Sequence, residues 1–524
     1  MWNSRSPSRH RTQSQHGIIA GSSDYVDYPV DYVDNFPKSQ LEEVGSVGGL
    51  PGEAGPAVDS GLQVALAEAE AAGILPITST CNISCLFCSN RSNPPGARVY
   101  ALSHRPVGEI ARALAGMARL PAIVIGESAS RVSEGEPLTH PDFPAVVRLV
   151  RQNCPDATIR LTTNGTLLDA DLTSLLAALG PVEVTLSLNT ASSEAYGRLH
   201  GRTGDPRRAA RLLAASGLGF EASVVAVPAV TGPGDLQATV SFLADQGCTH
   251  CRVFVPAFTR FTPASVRAVL PEREEVAGLV EEARALTRMP LSLEPPQLGD
   301  LEARVTGILA GTPAERAGLR AGDVVTVVEG IRPFSRVDAF RRCQDGLRCR
   351  GRCRVRLARL GEAEVMLTAD DGRTGGPLGP AGRSRPGLVM DRDCDPDDAR
   401  AVLELADDLG ASRAVVFTGF LAGRVMELGL AEAARERGGR PPWLVVAVPC
   451  ETFGGSITAA GLLTVEDAAG ALGRSSPVAP GDALFLPPLA FDRNGLDLLG
   501  RSPADLRGLL PRGTRLVVPG LATL

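Results

Sequence analysis

Residues 158–189 read TIRLTTNGTLLDADLTSLLAALGPVEVTLSLN, and this stretch decides the fold. Residues 158–163 and 182–188 have the β-branched composition of strands, whereas residues 170–178 have the leucine and alanine content of a helix. A strand, a helix and a second strand at this spacing form a βαβ unit, in which the two strands are parallel. The chain is therefore predicted to be an α/β protein.

The same alternation extends in both directions from this stretch. Candidate helices lie at 107–118, 143–152, 170–178 and 235–246, and candidate strands lie at 74–80, at either 122–127 or 130–134, and at 158–163, 182–188, 221–227 and 251–255. Six such units predict a partial (β/α)6 barrel over residues 61–288. Parallel folds of this kind carry their chemistry on the loops that follow the strands.

The rest of the chain divides by composition. A length of 524 residues favours three or four domains. Residues 1–60 show no apolar periodicity and are predicted to be a disordered tail. Residues 289–370 are predicted to form a small β-rich domain, and residues 371–387 a linker rich in glycine and proline. The helix and strand patterns return over 388–524, which predicts a C-terminal α/β domain.

Charge and hydropathy exclude several classes of function. The net charge is −6, so no overall positive field favours nucleic acid. No apolar stretch approaches the roughly 20 residues of a spanning helix, and the amino terminus has no apolar signal region, so no membrane partner and a cytoplasmic location are expected. Lys38 is the single lysine, and the sequence contains no GxxxxGK[ST], HExxH or GxSxG motif.

Three cysteines crowd the loop after the first predicted strand. Cys81, Cys85 and Cys88 have CxxxCxxC spacing, and an odd total of eleven cysteines favours thiol or metal chemistry over a disulfide framework. Three thiolates can hold three irons of a cubane cluster and leave the fourth iron open to an exogenous ligand. Part of a zinc site is the alternative, although structural zinc requires four ligands.

This loop resembles the cluster loop of radical SAM enzymes, with Phe87 as the aromatic residue before the last cysteine. Further similar segments follow in the order of that family, and they are Gly135, Glu136 and Pro137 after Glu134 at the place of a first glycine, Asn164 in TTNG, Ser187 and Asn189 in LSLN, and AYGRLHG at 195–201. The resemblance implies a [4Fe-4S] cluster on the three cysteines and S-adenosylmethionine (SAM) bound with its amino group at the Glu136 loop.

For the polar residues, a plainer interpretation remains open. Glu136 can be a solvated loop carboxylate, and Ser187 a strand-end hydroxyl that bonds to backbone. Under the resemblance, Ser187 and Asn189 instead lie near the ribose and carboxylate of SAM. The implied reaction is reductive cleavage of SAM to a 5'-deoxyadenosyl radical, which requires a reducing electron donor and acts on an unknown substrate.

Residues 303–340 resemble a bacterial PDZ domain, with AGLRAGD at 317–323. A PDZ groove binds an extended peptide as an added strand, so a peptidic substrate or protein partner is implied. Alternatively, the groove is filled by this chain and joins its domains. The C-terminal part resembles the DUF512 domain of predicted iron-sulfur oxidoreductases, on the segments VVFTGFLAG at 415–423 and TFGGSITAAGLLTVEDAAGAL at 452–472.

The remaining cysteines are interpreted as structural. Cys248 and Cys251 have CxxC spacing but lie at the entry to a strand, and Cys343, Cys349 and Cys353 match no defined site. The leading hypothesis is a radical SAM enzyme. The alternative is a non-catalytic iron-sulfur and PDZ scaffold or redox sensor that binds protein partners.

Overall fold

The structure is a computed structural model that describes residues 60–128, 131–359, 361–369, 385–438 and 441–520. Residues 1–59 of the tail predicted at 1–60 therefore lie outside the described residues, as does most of the predicted linker, whereas Ser60 already begins a helix. Among the described residues, no helix combines the length and the apolar character needed to cross a membrane.

The first domain is built on a parallel sheet of six strands in the order β2-β4-β5-β6-β7-β8. Its elements are α1 (Ser60–Ala71), β1 (Tyr100–Ala101), α2 (Val107–Met117), β2 (Ala122–Ile125), β3 (Val132–Ser133), α3 (Phe143–Asn153), β4 (Thr158–Thr163), α4 (Ala170–Ala178), β5 (Val182–Ser187), α5 (Ser193–His200), α6 (Arg208–Ser216), β6 (Phe220–Val225), α7 (Pro228–Thr231), α8 (Asp235–Asp245), β7 (Cys251–Phe254), α9 (Ala264–Arg267), α10 (Arg273–Arg284) and β8 (Leu291–Glu294). The prediction of a parallel α/β domain is confirmed.

The two faces of this sheet differ in polarity. Ile159, Leu161 and Val184 point into the core shared with the helices, because side chains alternate along a strand. The other face is polar. It carries ion pairs between Arg160 and Glu183 at 3.1 Å and between Arg252 and Glu294 at 3.4 Å.

The predicted first strand is wrong. Residues 74–80 contribute only one bridge to the sheet, from Ile74 to Val124. Pro76 lacks the N–H that a ladder requires, which disfavours a regular strand here. Both alternatives for the second strand occur instead, as β2 and as β3, and β3 pairs with β1 in a separate small sheet.

The sixth strand of the sheet is β8, which the sequence analysis did not predict. Residues 291–294 pair in parallel with β7 over 251–254. The boundary predicted at 288/289 therefore falls before the last strand of this sheet.

The second domain combines a three-stranded antiparallel sheet, β10-β11-β12, with a two-stranded pair of β9 and β13. Its elements are β9 (Gly307–Ile308), α11 (Pro313–Arg316), β10 (Val324–Val328), α12 (Arg336–Arg350), β11 (Arg352–Arg359), β12 (Gly361–Thr368) and β13 (Leu388–Val389). The prediction of a small β-rich module is confirmed. Because β13 pairs antiparallel with β9, residues 388–389 belong to this domain rather than to the start of the third.

The third domain is a parallel sheet in the order β15-β14-β16-β17. Its elements are α13 (Pro396–Asp408), β14 (Ala414–Thr418), α14 (Phe420–Glu436), β15 (Trp443–Ala447), α15 (Val465–Ser475), β16 (Ala483–Phe485) and β17 (Arg515–Val517). One face, with Val416 and Phe485, packs on the core that includes α13 and α14, and the other, with Phe417 and Leu484, on the core that includes α15. The predicted C-terminal α/β domain is confirmed.

Candidate active site

The cysteine loop, residues 81–88, runs beside the end of α5. The amide of Ser84 donates to the carbonyl of His200 at 3.1 Å, and the amide of Leu86 donates to the carbonyl of Leu199 at 2.8 Å. The amide of Cys88 donates to the carbonyl of Cys85 at 3.2 Å. The loop is thus held by a helix that begins more than 100 residues later in the chain.

The three thiols of this loop influence one another. Cys81 is exposed, and Cys85 and Cys88 are half-buried. Burial raises the pKa of the Cys85 thiol, and the neighbouring Cys88 and Cys81 raise it further. Burial also raises the pKa of Cys81. A cation that binds thiolate sulfur offsets this unfavourable ionisation, so the set suits a metal cluster.

Among residues that the structure describes, no three histidine, cysteine or acidic side chains are grouped tightly enough for a single metal ion. In a cubane each protein sulfur binds a different iron, so its ligands stand further apart than the ligands of one zinc ion. Three thiol donors in one loop match the ligand set of a [4Fe-4S] cluster with one open iron.

His200 is a site residue that the sequence analysis missed. Its ring is 2% exposed, and Nδ1 lies 3.2 Å from Sγ of Cys85. Burial lowers the pKa of His200 to about 4, so the ring is neutral near pH 7. It also contacts the ring of Phe87 edge-on, with centroids 6.1 Å apart. The histidine before the final glycine of AYGRLHG was the available signal.

The loop after β3 lies directly against the strand-like segment that leads into the cysteines. The amides of Gly135 and Glu136 donate to the carbonyls of Thr78 and Thr80, both at 2.8 Å. A Cβ on Gly135 would lie 2.2 Å from the Thr80 carbonyl oxygen, so only glycine fits there. Glu134 is accommodated because Oε1 accepts from the amides of Ile77 and Thr78.

Glu136 is a buried carboxylate rather than a solvated one. Its side chain accepts hydrogen bonds from the Thr163 hydroxyl at 2.6 Å, the Asn164 amide at 2.6 Å and the Leu138 amide at 3.1 Å. Pro137 begins the short 310 turn that Glu136 caps. Burial raises the pKa of Glu136 to about 7, although these three hydrogen bonds favour the charged form.

Asn164 links the end of β4 to the cysteine loop. Its amide nitrogen donates to Oδ1 of Asn82 at 3.0 Å, and its oxygen accepts from the amide and hydroxyl of Thr166. Asn82 in turn donates to the Thr166 hydroxyl at 2.8 Å. This network connects the Asn164 side chain to Asn82, the residue that follows Cys81.

Ser187 and Asn189 lie at the carboxyl end of β5, but both are already bonded. The Ser187 hydroxyl accepts from the hydroxyl of Ser223 at 3.1 Å. Asn189 is 8% exposed, its oxygen accepts from the Val225 amide at 2.8 Å, and its nitrogen lies 3.5 Å from Nε2 of His200. In this arrangement Asn189 orients His200, which contacts Cys85 of the cysteine loop.

A cavity of about 120 Å³ opens beside Cys88. Leu86, Phe87 and Cys88 form one wall, and the segment that follows β7 forms the other through Phe258, Thr259 and Val266. The wall from the segment after β7 was not predicted, because no motif marks it.

The other cysteines lie apart from this site. Cys248 and Cys251 are buried at the amino end of β7, opposite the strand-end loops. Cys343 and Cys353 are buried against each other in the second domain, whereas Cys349 is exposed on α12. The structural interpretation of these cysteines agrees with their positions.

The family models matched by this chain are those of two domains. Residues 75–243 match the Radical SAM superfamily, and residues 304–345 match the PDZ domain. The proposed DUF512 resemblance of the third domain stays a prediction.

Among curated proteins, the chain is 34% identical over 122 residues to GTP 3',8-cyclase of Chlorobaculum tepidum, which covers 23% of this chain and 34% of the relative. It is 30% identical over 133 residues to AdoMet-dependent heme synthase of Methanosarcina barkeri, covering 24% of this chain and 34% of the relative. The chain thus spans about a third of the length of these relatives.

Among solved structures, SuiB of Streptococcus suis bound to S-adenosylmethionine aligns with 16% identity and a TM-score of 0.33, over 42% of this chain and 49% of that one. The protein anSMEcpe with bound AdoMet aligns with 15% identity and a TM-score of 0.32, over 41% of this chain and 57% of that one. The family-model matches therefore assign a radical SAM domain to residues 75–243 of this chain and a PDZ domain to residues 304–345.

Proposed function

We propose that the protein cleaves S-adenosylmethionine reductively at a [4Fe-4S] cluster bound by Cys81, Cys85 and Cys88 and acts on an unknown substrate. One observation carries this proposal. The backbone of Gly135 and Glu136 is hydrogen-bonded to Thr78 and Thr80, immediately before Cys81, so the loop of a buried carboxylate lies against the start of the cysteine loop. Bound there, the cluster supplies the electron that breaks the sulfonium bond of SAM.

Glu136 is suited to bind the amino group of SAM. A carboxylate has about four acceptor positions. Oε1 accepts from Thr163 and Leu138, and Oε2 accepts from Asn164, which leaves one position on Oε2. An ammonium group at that position would favour the charged carboxylate, whose pKa burial has raised.

The cysteine loop is positioned by His200, Asn189 and Asn164. His200 contacts Cys85, and Asn189 holds His200 from the opposite side of the ring. Asn164 fixes Asn82 next to Cys81. Phe87 lines the cavity beside Cys88, and Ser187 stands at the edge of the polar sheet face. Their proposed contacts with SAM follow the family resemblance.

Anaerobic reconstitution with iron and sulfide tests the proposal. The wild type should turn brown and, with a chemical reductant and SAM, release 5'-deoxyadenosine. Cys85→Ala should do neither, whereas Cys349→Ala, at an exposed cysteine of the second domain, should behave as wild type. A wild type that stays colourless or retains zinc contradicts the proposal. A brown protein that cleaves no SAM supports the scaffold or redox sensor instead.

A peptidic substrate is the proposed substrate class, and the PDZ domain supports it. The edge of β9 is already paired with β13 of the same domain, which supports the alternative that the chain itself fills this edge. Binding of a random heptapeptide library to the full chain, with and without the substitution Leu388→Pro in β13, distinguishes a groove that binds peptides from a groove that the chain itself fills. A cytoplasmic location is also proposed, since all eleven cysteines lie in the described residues and none forms a disulfide.

A further inference from the structure

A turn of the third domain, Phe453–Ser456, docks on the segment that follows β7. The amide of Phe258 donates to the Ser456 hydroxyl at 2.9 Å, and the amide of Ser456 donates to the carbonyl of Phe258 at 2.9 Å. The amide of Arg260 donates to the carbonyl of Phe453 at 2.8 Å. These three hydrogen bonds hold the backbone of residues 258–260 against the turn.

The two glycines of the turn allow this approach. Gly454 and Gly455 have φ values of 65° and 66°. A Cβ on Gly455 would lie 2.1 Å from the carbonyl oxygen of Phe258, and one on Gly454 would lie 3.0 Å from Cβ of Arg260. Glycine is therefore required twice, once for the turn itself and once for the contact with the first domain.

The segment contacted by this turn faces the cysteine loop on its other side. The Thr259 hydroxyl donates to the carbonyl of Ser92 at 2.5 Å, and Thr259 is 1% exposed. Phe258 and Thr259 line the cavity opposite Phe87 and Cys88. The segment after β7 thus lies between the Phe453–Ser456 turn and the cysteine loop.

A second contact of the third domain reaches the chain just beyond the cysteine loop. The amide of Arg98 donates to the carbonyl of Leu498 at 2.7 Å, and a Cβ on Gly500 would lie 2.1 Å from the Arg98 guanidinium. Val99, beyond the cysteine loop, and Ala257, which lines the cavity, pack against the core of the third domain. The segment after β7 and the chain that follows the cysteine loop are therefore attached to the same domain.

We infer that Ser456 and Gly455 are positioning residues for the reaction, and that the third domain sets the width of the cavity beside Cys88. This inference rests on the proposed function. If the segment moves away from the cysteine loop, the cavity widens while the cluster ligands stay in place. Binding of SAM beside the cluster then weakens, whereas cluster assembly is unaffected.

Hydrogen exchange of the cluster-free protein tests the docking without any chemistry. Ser456→Ala should speed exchange of the amides in residues 255–262 about two- to tenfold, the range expected for the loss of one hydrogen bond. Gly455→Ala should have the larger effect, and Ser456→Thr, which keeps the hydroxyl, should restore protection. Gly513→Ala is the matched control, because Gly513 has a φ of 85° and its nearest neighbour to an added Cβ is 3.9 Å away.

Kinetics of reconstituted Ser456→Ala complete the test. Iron per chain should equal that of the wild type, and the KM for SAM in 5'-deoxyadenosine release should rise at least about threefold with a smaller change in kcat. Unchanged exchange in residues 255–262, or faster exchange with an unchanged KM, overturns the inference. A wild type that releases no 5'-deoxyadenosine overturns the proposed function instead, while the exchange result still decides whether the third domain holds the segment.

Discussion

Nδ1 of His200 lies 3.2 Å from Sγ of Cys85, although the two residues are 115 positions apart. The carbonyls at the end of α5 also accept hydrogen bonds from the backbone amides of Ser84 and Leu86. The helix end therefore holds the cysteine loop through both its backbone and a side chain. The middle cysteine of the motif is therefore oriented by a residue outside the motif.

Replacing His200 should make a bound cluster more labile. A hydrogen bond to a charged sulfur contributes about 1.5–3 kcal/mol, so His200→Ala should lose iron to a chelator about tenfold faster or more. The rate of loss of visible absorbance measures this. His104→Ala, at a half-buried histidine that contacts His140 rather than a cysteine, is the control. Equal rates for the wild type and His200→Ala would contradict the role of His200.

Glu136 should make the stability of the cluster-free protein depend on pH. Its pKa rises from 4.5 to about 7 on folding, mainly because of burial. Between these values the folded state binds the proton more strongly, so stability falls as pH rises through this window, by at most about 1.4 kcal/mol per pH unit.

Glu136→Gln should remove this part of the slope, because an amide does not titrate. Free energies of unfolding from urea titrations at pH 5, 6 and 7 measure it. The variant's absolute stability is not the readout, since the new NH₂ group can face the Asn164 amide. The same slope in both proteins would show that Glu136 is not the titrating group.

Iron content should depend on one group of cysteines. The triple variant Cys81→Ala/Cys85→Ala/Cys88→Ala should bind no iron after reconstitution, because Cys343 and Cys353 are buried against each other and Cys349 lies exposed on α12. Iron per chain measured by a colorimetric assay provides the result. Residual iron in the triple variant would reveal a second cluster.

Arg336 should be important for attaching the chain after β13 to α12. Its side chain is 5% exposed and lies 3.2 Å from the carboxylate of Asp393. That carboxylate is fully buried and accepts hydrogen bonds from the backbone amides of Arg336 and Val337. Removing one partner of a buried pair costs about 3–5 kcal/mol, so Arg336→Ala should destabilise the second domain by this amount.

Hydrogen exchange of the α12 amides measures that loss for the second domain alone. Arg332→Ala is the control, since Arg332 is 74% exposed and 3.9 Å from Glu432, and exposed pairs contribute about 0–1 kcal/mol. Comparable effects of the two substitutions would argue against a special role for Arg336.

The sequence by itself determined the parallel α/β class, the three-domain order and the residues of the cysteine and Glu136 loops. These features are local: strand and helix periodicities extend over a few residues, and the Cys81–Cys88 spacing needs no partner to be recognised. Gly135 was also found from its local sequence, whereas the reason that only glycine fits there, the close approach of Thr80, is a tertiary contact.

Only the tertiary structure decided which distant segments meet. It brought β8 into the first sheet, paired β13 with β9, placed His200 on Cys85 and docked Ser456 on Phe258, 198 positions away. Such contacts depend on the total free energy of apolar burial and backbone hydrogen bonding in the folded chain. No short sequence pattern encodes that total. The buried state of Glu136, and hence its raised pKa, has the same origin.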